Sequence, residues 1–112
     1  MIAPRRCALL DDAGAETQQL HGVILDLSGG GILLQATDFV APGSRLRLVF
    51  ELEGDPLEMD VAAIVLSGNR AASNARQFRM HCQFLELNKD EMERLVRFIY
   101  RQQVALRRKG VI

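Results

Sequence analysis

Asp26-Leu27-Ser28-Gly29-Gly30-Gly31 is the stretch on which the reading of this chain turns. It follows Leu20 to Leu27 (LHGVILDL), an apolar and β-branched run that suits a strand. Three consecutive glycines leave the backbone almost unrestricted, so a tight turn or bulge is predicted there, with strand pattern resuming over Ile32 to Gln35. The acid and the hydroxyl have two readings. In one, Asp26 and Ser28 organise the bend, as Asx and Ser turns do. In the other, the Asp26 carboxylate accepts from a paired N–H edge such as the Watson–Crick edge of guanine. Ser28 would then share its side of the strand, and Gly31 would let backbone approach a flat ring or a phosphate.

Outward from this turn, most of the chain alternates with period 2. Arg6 to Leu10 is a short apolar run closed by the turn residues Asp11-Asp12-Ala13-Gly14. Ala41-Pro42-Gly43-Ser44 is a second turn. Arg45 to Glu51 places Leu46, Leu48 and Phe50 on one face and Arg45, Arg47 and Glu51 on the other, as a half-buried antiparallel strand does. Glu53-Gly54-Asp55-Pro56 turns the chain into Leu57 to Leu66, and Ser67 to Ala75 reads as a mobile polar loop. Gln77 to Leu87 alternates again through Phe78, Met80, Cys82 and Phe84. Six strands joined by short turns predict an all-β antiparallel barrel or sandwich.

The period then changes. Asn88 and Glu91 form a capping-box pair, and Asp90, Glu91 and Glu93 suit the positive end of a helix dipole. Met92, Leu95, Val96 and Ile99 recur as one face of an amphipathic helix over 89–109 that packs on the barrel, and Phe98 and Val104-Ala105-Leu106 widen or extend that face. Arg107-Arg108-Lys109 close it, with Gly110 as a stop.

At 112 residues, 48% apolar and 25% charged, the chain is expected to be one domain over 1–112, with its barrel over 5–87. The net charge of zero hides an asymmetry: residues 1–88 carry 7 Lys/Arg against 11 Asp/Glu, and residues 89–112 carry 7 against 3. A body of net charge −4 with one tyrosine and no tryptophan is a poor DNA platform. No apolar run approaches the roughly 20 residues that span a bilayer, so no membrane insertion is expected. Residues 1–6 lack the pattern of a signal peptide, and Cys7 and Cys82 read as reduced thiols of a cytoplasmic protein.

The sequence resembles the PilZ domain family. The match rests on D-x-S-x-x-G at Asp26, Ser28 and Gly31, the apolar Ile32-Leu33-Leu34 after it, and the Pro42-Gly43 turn. The strand ending Phe50-Glu51-Leu52, the strand ending Met80-His81-Cys82-Gln83-Phe84 and the Arg-rich terminal helix complete it. The helix and its Arg-Arg-Lys look most like the C-terminal module of flagellar-brake proteins. The resemblance implies a six-stranded antiparallel β-barrel with a C-terminal helix. Such a module binds cyclic di-GMP on its outer face and passes the signal to a protein partner, such as flagellar or polysaccharide-export machinery, or to a second copy of itself.

One part of the family pattern is missing. Family members that bind the dinucleotide carry R-x-x-x-R just before the first strand, whereas this chain has the adjacent pair Arg5-Arg6. Losing two charge-assisted contacts costs about 3–6 kcal/mol, on the order of 10²- to 10⁴-fold in affinity. Either Arg5 or Arg6 substitutes, or the arginines lie upstream in a longer chain, or the domain is an interaction module with little nucleotide binding.

No other constellation carries chemistry. His21, His81, Cys7 and Cys82 lack metal-ligand spacing, and Cys82 falls on the apolar alternation. Ser28 lacks a nucleophile elbow, and the glycines lack the Lys-Ser/Thr of a phosphate-binding loop. No enzyme activity, cofactor or metal is expected.

Overall fold

A computed structural model describes residues 1–28, 30–71 and 74–109, leaving aside the side chains of 74, 75 and 106–109. Seven strands and one helix follow one another: β1 (Arg6–Leu10), β2 (Glu16–Gln19), β3 (Gly22–Leu27), β4 (Gly31–Ala36), β5 (Arg45–Phe50), β6 (Met59–Ala71), β7 (Asn74–Leu85) and α1 (Lys89–Lys109). The strands form one antiparallel sheet in the order β2-β1-β5-β6-β7-β4-β3.

The expectation of a six-stranded barrel needs two corrections. There are seven strands, and the sheet is not closed into a barrel. The extra strand is β2, Glu-Thr-Gln-Gln, exposed at every position. It buries no apolar face, so no alternation marks it; pairing with β1 through the Asp11–Gly14 turn makes it a strand. The sheet curls until β3 meets the N-terminal segment, where Ile2 and Ile24 exchange backbone hydrogen bonds of 2.8 and 2.7 Å. Among the described residues, this isolated bridge is the ladder contact between those sides.

Other boundaries also shift. Leu20 and His21 lie between β2 and β3 rather than in a strand, although Leu20 is buried. The polar segment expected as a mobile loop over Ser67 to Ala75 is largely ladder. β6 runs on to Ala71 and β7 starts at Asn74, with Asn69 opposite Arg79 and Arg70 opposite Phe78. Polar side chains on both strands concealed a hairpin that backbone bonding and the stacking of Arg70 over the Phe78 ring hold together.

The core is the inner face of the curled sheet. Leu34, Leu46, Leu48, Ala63, Met59 and Met80 are fully buried, and Phe50 and Ile24 nearly so. Both thiols are free and sit in it; burial pushes Cys7 up to about 11 and Cys82 up to about 12, so they persist as thiols at neutral pH.

The helix begins as its cap residues dictate. Glu91 N donates to Asn88 Oδ1 at 2.7 Å, and Asn88 N donates to Glu91 Oε1 at 3.0 Å. A second anchor is Arg94, whose Nε donates to Asp55 Oδ2 at 2.7 Å and whose other nitrogen reaches the Leu57 carbonyl. These two side chains are only 11% and 12% exposed. The guanidinium holds the Asp55 carboxyl below its ordinary value, so this contribution to stability is present at neutral pH and fades as acid protonates Asp55. The face that docks differs from the one periodicity suggests. Leu95 and Phe98 are buried and Ile99 is partly so, but Met92 and Val96 are 39% and 51% exposed. Arg94, next to Leu95 on that side, is bonded to the 52–57 loop.

Truncating Leu95 to Ala should therefore destabilise the protein by about 2–5 kcal/mol in urea unfolding, whereas Met92→Ala should cost under about 0.5 kcal/mol. Equal losses would mean that the helix docks on the face its periodicity suggests.

Candidate functional site

The turn at 26–31 is built by a bulge and a steric contact. In the β3–β4 ladder Ile24 faces Leu34, but Asp26 faces Leu33, so Leu25 is one residue extra on β3. Ile24 points into the core, and simple alternation would send Asp26 the same way. The bulge resets the alternation: Asp26 is exposed and Leu27 turns back toward the core. Sequence alternation alone does not reveal such an insertion; the turn residues after it are the available signal.

Asp26 Oδ1 accepts from the N–H of Leu27 at 2.9 Å. No described residue donates to its second oxygen, which faces solvent. Ser28 is committed differently. Its N–H donates to the Gly31 carbonyl at 2.9 Å, its hydroxyl donates to the same oxygen at 3.2 Å, and Gly31 N donates back to Ser28 Oγ at 3.2 Å. The hydroxyl proton is thus used within the turn, leaving acceptor capacity for anything outside.

Gly31 makes a close approach, though to protein. A Cβ there would lie 2.0 Å from the carbonyl oxygen of Cys82, so only glycine lets β4 enter the ladder with β7 at this point. Phe84 N donates to the Gly30 carbonyl at 3.0 Å and fastens the other side of the turn. Gly29 lies outside the described residues.

Asp26 stands on the rim of a cleft of about 310 Å³, walled by Ile24 to Leu27, by Met1 and Ile2, and by Phe98, Ile99, Gln102 and Gln103 of α1. The contributions of the N-terminal segment and the two glutamines escaped the sequence reading, because no local pattern marks them. Neither Arg5 nor Arg6 lines this cleft. Arg5 Nε donates to Glu58 Oε2 at 2.7 Å, and its second contact to Oε1 is 3.2 Å. Arg6 makes a two-pronged pair with Glu16 of β2, one prong at 2.8 Å. Hydrogen bonding to these carboxylates raises both arginines further above their ordinary value, and Arg6 holds Glu16 below its own. Arg47 joins the same outer face through Asp60 at 2.9 and 2.6 Å and Glu16 at 3.6 Å. The distance back to the cleft is short along the chain: Ile2 is bonded to Ile24, and three extended residues from Ile2 to Arg5 span no more than about 10 Å.

Among the described residues, no group of three His, Cys, Asp or Glu could hold a metal ion, and no helix is long and apolar enough to cross a membrane. The side chains of Arg107, Arg108 and Lys109 and the stop at Gly110 lie outside the described residues.

Substituting Gly31 by Ala should destabilise the protein by about 1–3 kcal/mol, as overpacking does, whereas Gly30→Ala, with nothing within 4 Å of the added carbon, should be nearly silent. Thermal or urea unfolding of the two variants checks this; an unperturbed Gly31→Ala protein would refute the contact with β7.

Comparison with known proteins agrees on one fold. No curated protein sequence matches the chain. The inhibitor of motility MotI (DgrA) of Bacillus subtilis superposes with a TM-score of 0.72 at 16% identity, covering 94% of this chain and 48% of that one. This chain thus spans about half the length of that structure. The PilZ domain of YcgR from Escherichia coli, solved with c-di-GMP, superposes with a TM-score of 0.63 at 16% identity, covering 97% of this chain and 89% of that one. The family model described as PilZ domain matches residues 3–101, nearly the whole length, and the chain belongs to the PilZ domain family.

Proposed function

We propose that this chain is a cyclic di-GMP-responsive adaptor in which the 26–31 turn reads a guanine and Arg5 or Arg6 meets phosphate. PilZ domains are typically binding and adaptor modules for this dinucleotide rather than enzymes. The observation that carries the reading is the Asp26 carboxylate: a bulge turns it outward, no described residue donates to one of its oxygens, and it stands on the rim of a cleft. A carboxylate so presented accepts from two adjacent N–H groups, the arrangement that guanine offers on its Watson–Crick edge.

The arginines must change partners for this to happen. Their pairs with Glu58 and Glu16 lie on the surface, where ion pairs contribute little to stability, so phosphate can displace the carboxylates at small cost. The adjacent spacing still differs from R-x-x-x-R, and binding is accordingly weak. A protein partner would then sense the change; the likeness to MotI, an inhibitor of motility, favours motility machinery over polysaccharide-export machinery.

One observation favours a second reading, a PilZ-fold interaction module that works without nucleotide. Both arginines are already paired with carboxylates of their own chain. Calorimetry separates the two. Saturable heat with cyclic di-GMP at up to millimolar ligand, weakened about tenfold or more by Asp26→Ala, is the expected outcome. No heat, or equal heat from the variant, would leave the nucleotide-free module standing instead.

A further inference from the structure

The helix α1 has a second apolar row that the fold does not use. Met92, Val96 and Tyr100 are 39%, 51% and 65% exposed, while Leu95 and Phe98 fill the core. Spaced four apart, the three side chains form a single ridge along the outer side of the helix. Single exposed apolar residues are ordinary, but three spaced i, i+4 along one ridge make a stripe.

The charges beside the stripe say what fits it. Glu93 and Arg97 are both exposed, and at 3.6 residues per turn they stand roughly 60° and 100° round from Val96 on the same flank. A two-fold axis lying between two antiparallel helices reverses chain direction but keeps each flank against itself. With the crossing at Val96, Glu93 of one protomer meets Arg97 of the partner subunit, and the reciprocal pair forms on the same flank. Met92 and Tyr100 lie at opposite ends of the ridge and pack over the crossing.

We infer that the outer ridge of α1, Met92, Val96 and Tyr100 flanked by Glu93 and Arg97, is the contact of an antiparallel homodimer of this chain. The contact is isologous, each copy presenting the same patch. Two i, i+4 ridges cross at about 50° and touch over a few turns, less than the roughly 800 Å² per partner of a standard stable interface. The dimer is therefore weak and concentration-dependent. It requires no nucleotide.

Sedimentation velocity on the full chain over a series from micromolar to millimolar concentration tests this without nucleotide. The expected result is a shift from monomer to dimer as concentration rises. Val96→Glu, which sets two carboxylates at the two-fold axis, should abolish the shift. Glu93→Arg should weaken association by roughly fivefold, and the exchange Glu93→Arg with Arg97→Glu should restore it. A monomer throughout the series would overturn the inference. So would a Val96→Glu protein that associates like the parent, or an exchanged pair no better than the single reversal. Should Val96→Glu disturb folding, as circular dichroism would reveal, the two charge variants at exposed positions decide the matter alone.

Discussion

The carbonyl of Cys82 occupies the place where a side chain on residue 31 would have to be. This contact ties the start of β4 to β7, and it leaves glycine as the one residue the position accepts. The turn before it is then held on both sides, by the Ser28–Gly31 pairing and by the bond from Phe84 to Gly30. Ser28, Gly30 and Gly31 are thereby fastened to one another and to β7. What projects from the turn is therefore presented in a fixed direction.

That direction is set by one surplus residue. Leu25 interrupts the β3–β4 register, and the half-turn it introduces separates the core residue Ile24 from the solvent-facing Asp26. The cleft under Asp26 depends on two elements distant in sequence. The N-terminal segment is bonded to Ile24, and α1 is held by its Asn88–Glu91 cap and by Arg94 on Asp55. Met1 and Ile2 thus wall the same cleft on whose rim Asp26 stands.

Period and chemistry foretold different parts of this. The alternation of Arg45 to Glu51 and of Gln77 to Leu87, and the cap at Asn88, translate directly into β5, β7 and α1, because each buries a definite face or closes a definite hydrogen bond. The strand β2 was invisible, since four exposed polar residues have no burial pattern to show. The same blindness turned the far ends of β6 and β7 into an expected loop. Closure was overestimated because strand count says nothing of whether the last pair of edges meets. At the site, Asp26, Ser28 and Gly31 were legible from the motif, yet their division of labour was not. Ser28 commits its hydroxyl proton to the turn and keeps acceptor capacity, Gly31 serves the contact with β7, and Asp26 has an oxygen to which no described residue donates. Nor did the sequence reveal that Arg5 and Arg6 would be held by Glu58 and Glu16, partners 53 and 10 residues away.

The central claim is that the bulged turn presents Asp26 to a ligand at the cleft it shares with the N-terminal segment and α1. An NMR titration of isotopically labelled protein with cyclic di-GMP tests it residue by residue. The account predicts that the amide shifts that move cluster at Leu25 to Leu27, at Ile2 to Arg6 and at Gln102 and Gln103. Movement confined to the far side of the sheet, around the β6–β7 hairpin, with those amides unchanged, would contradict it.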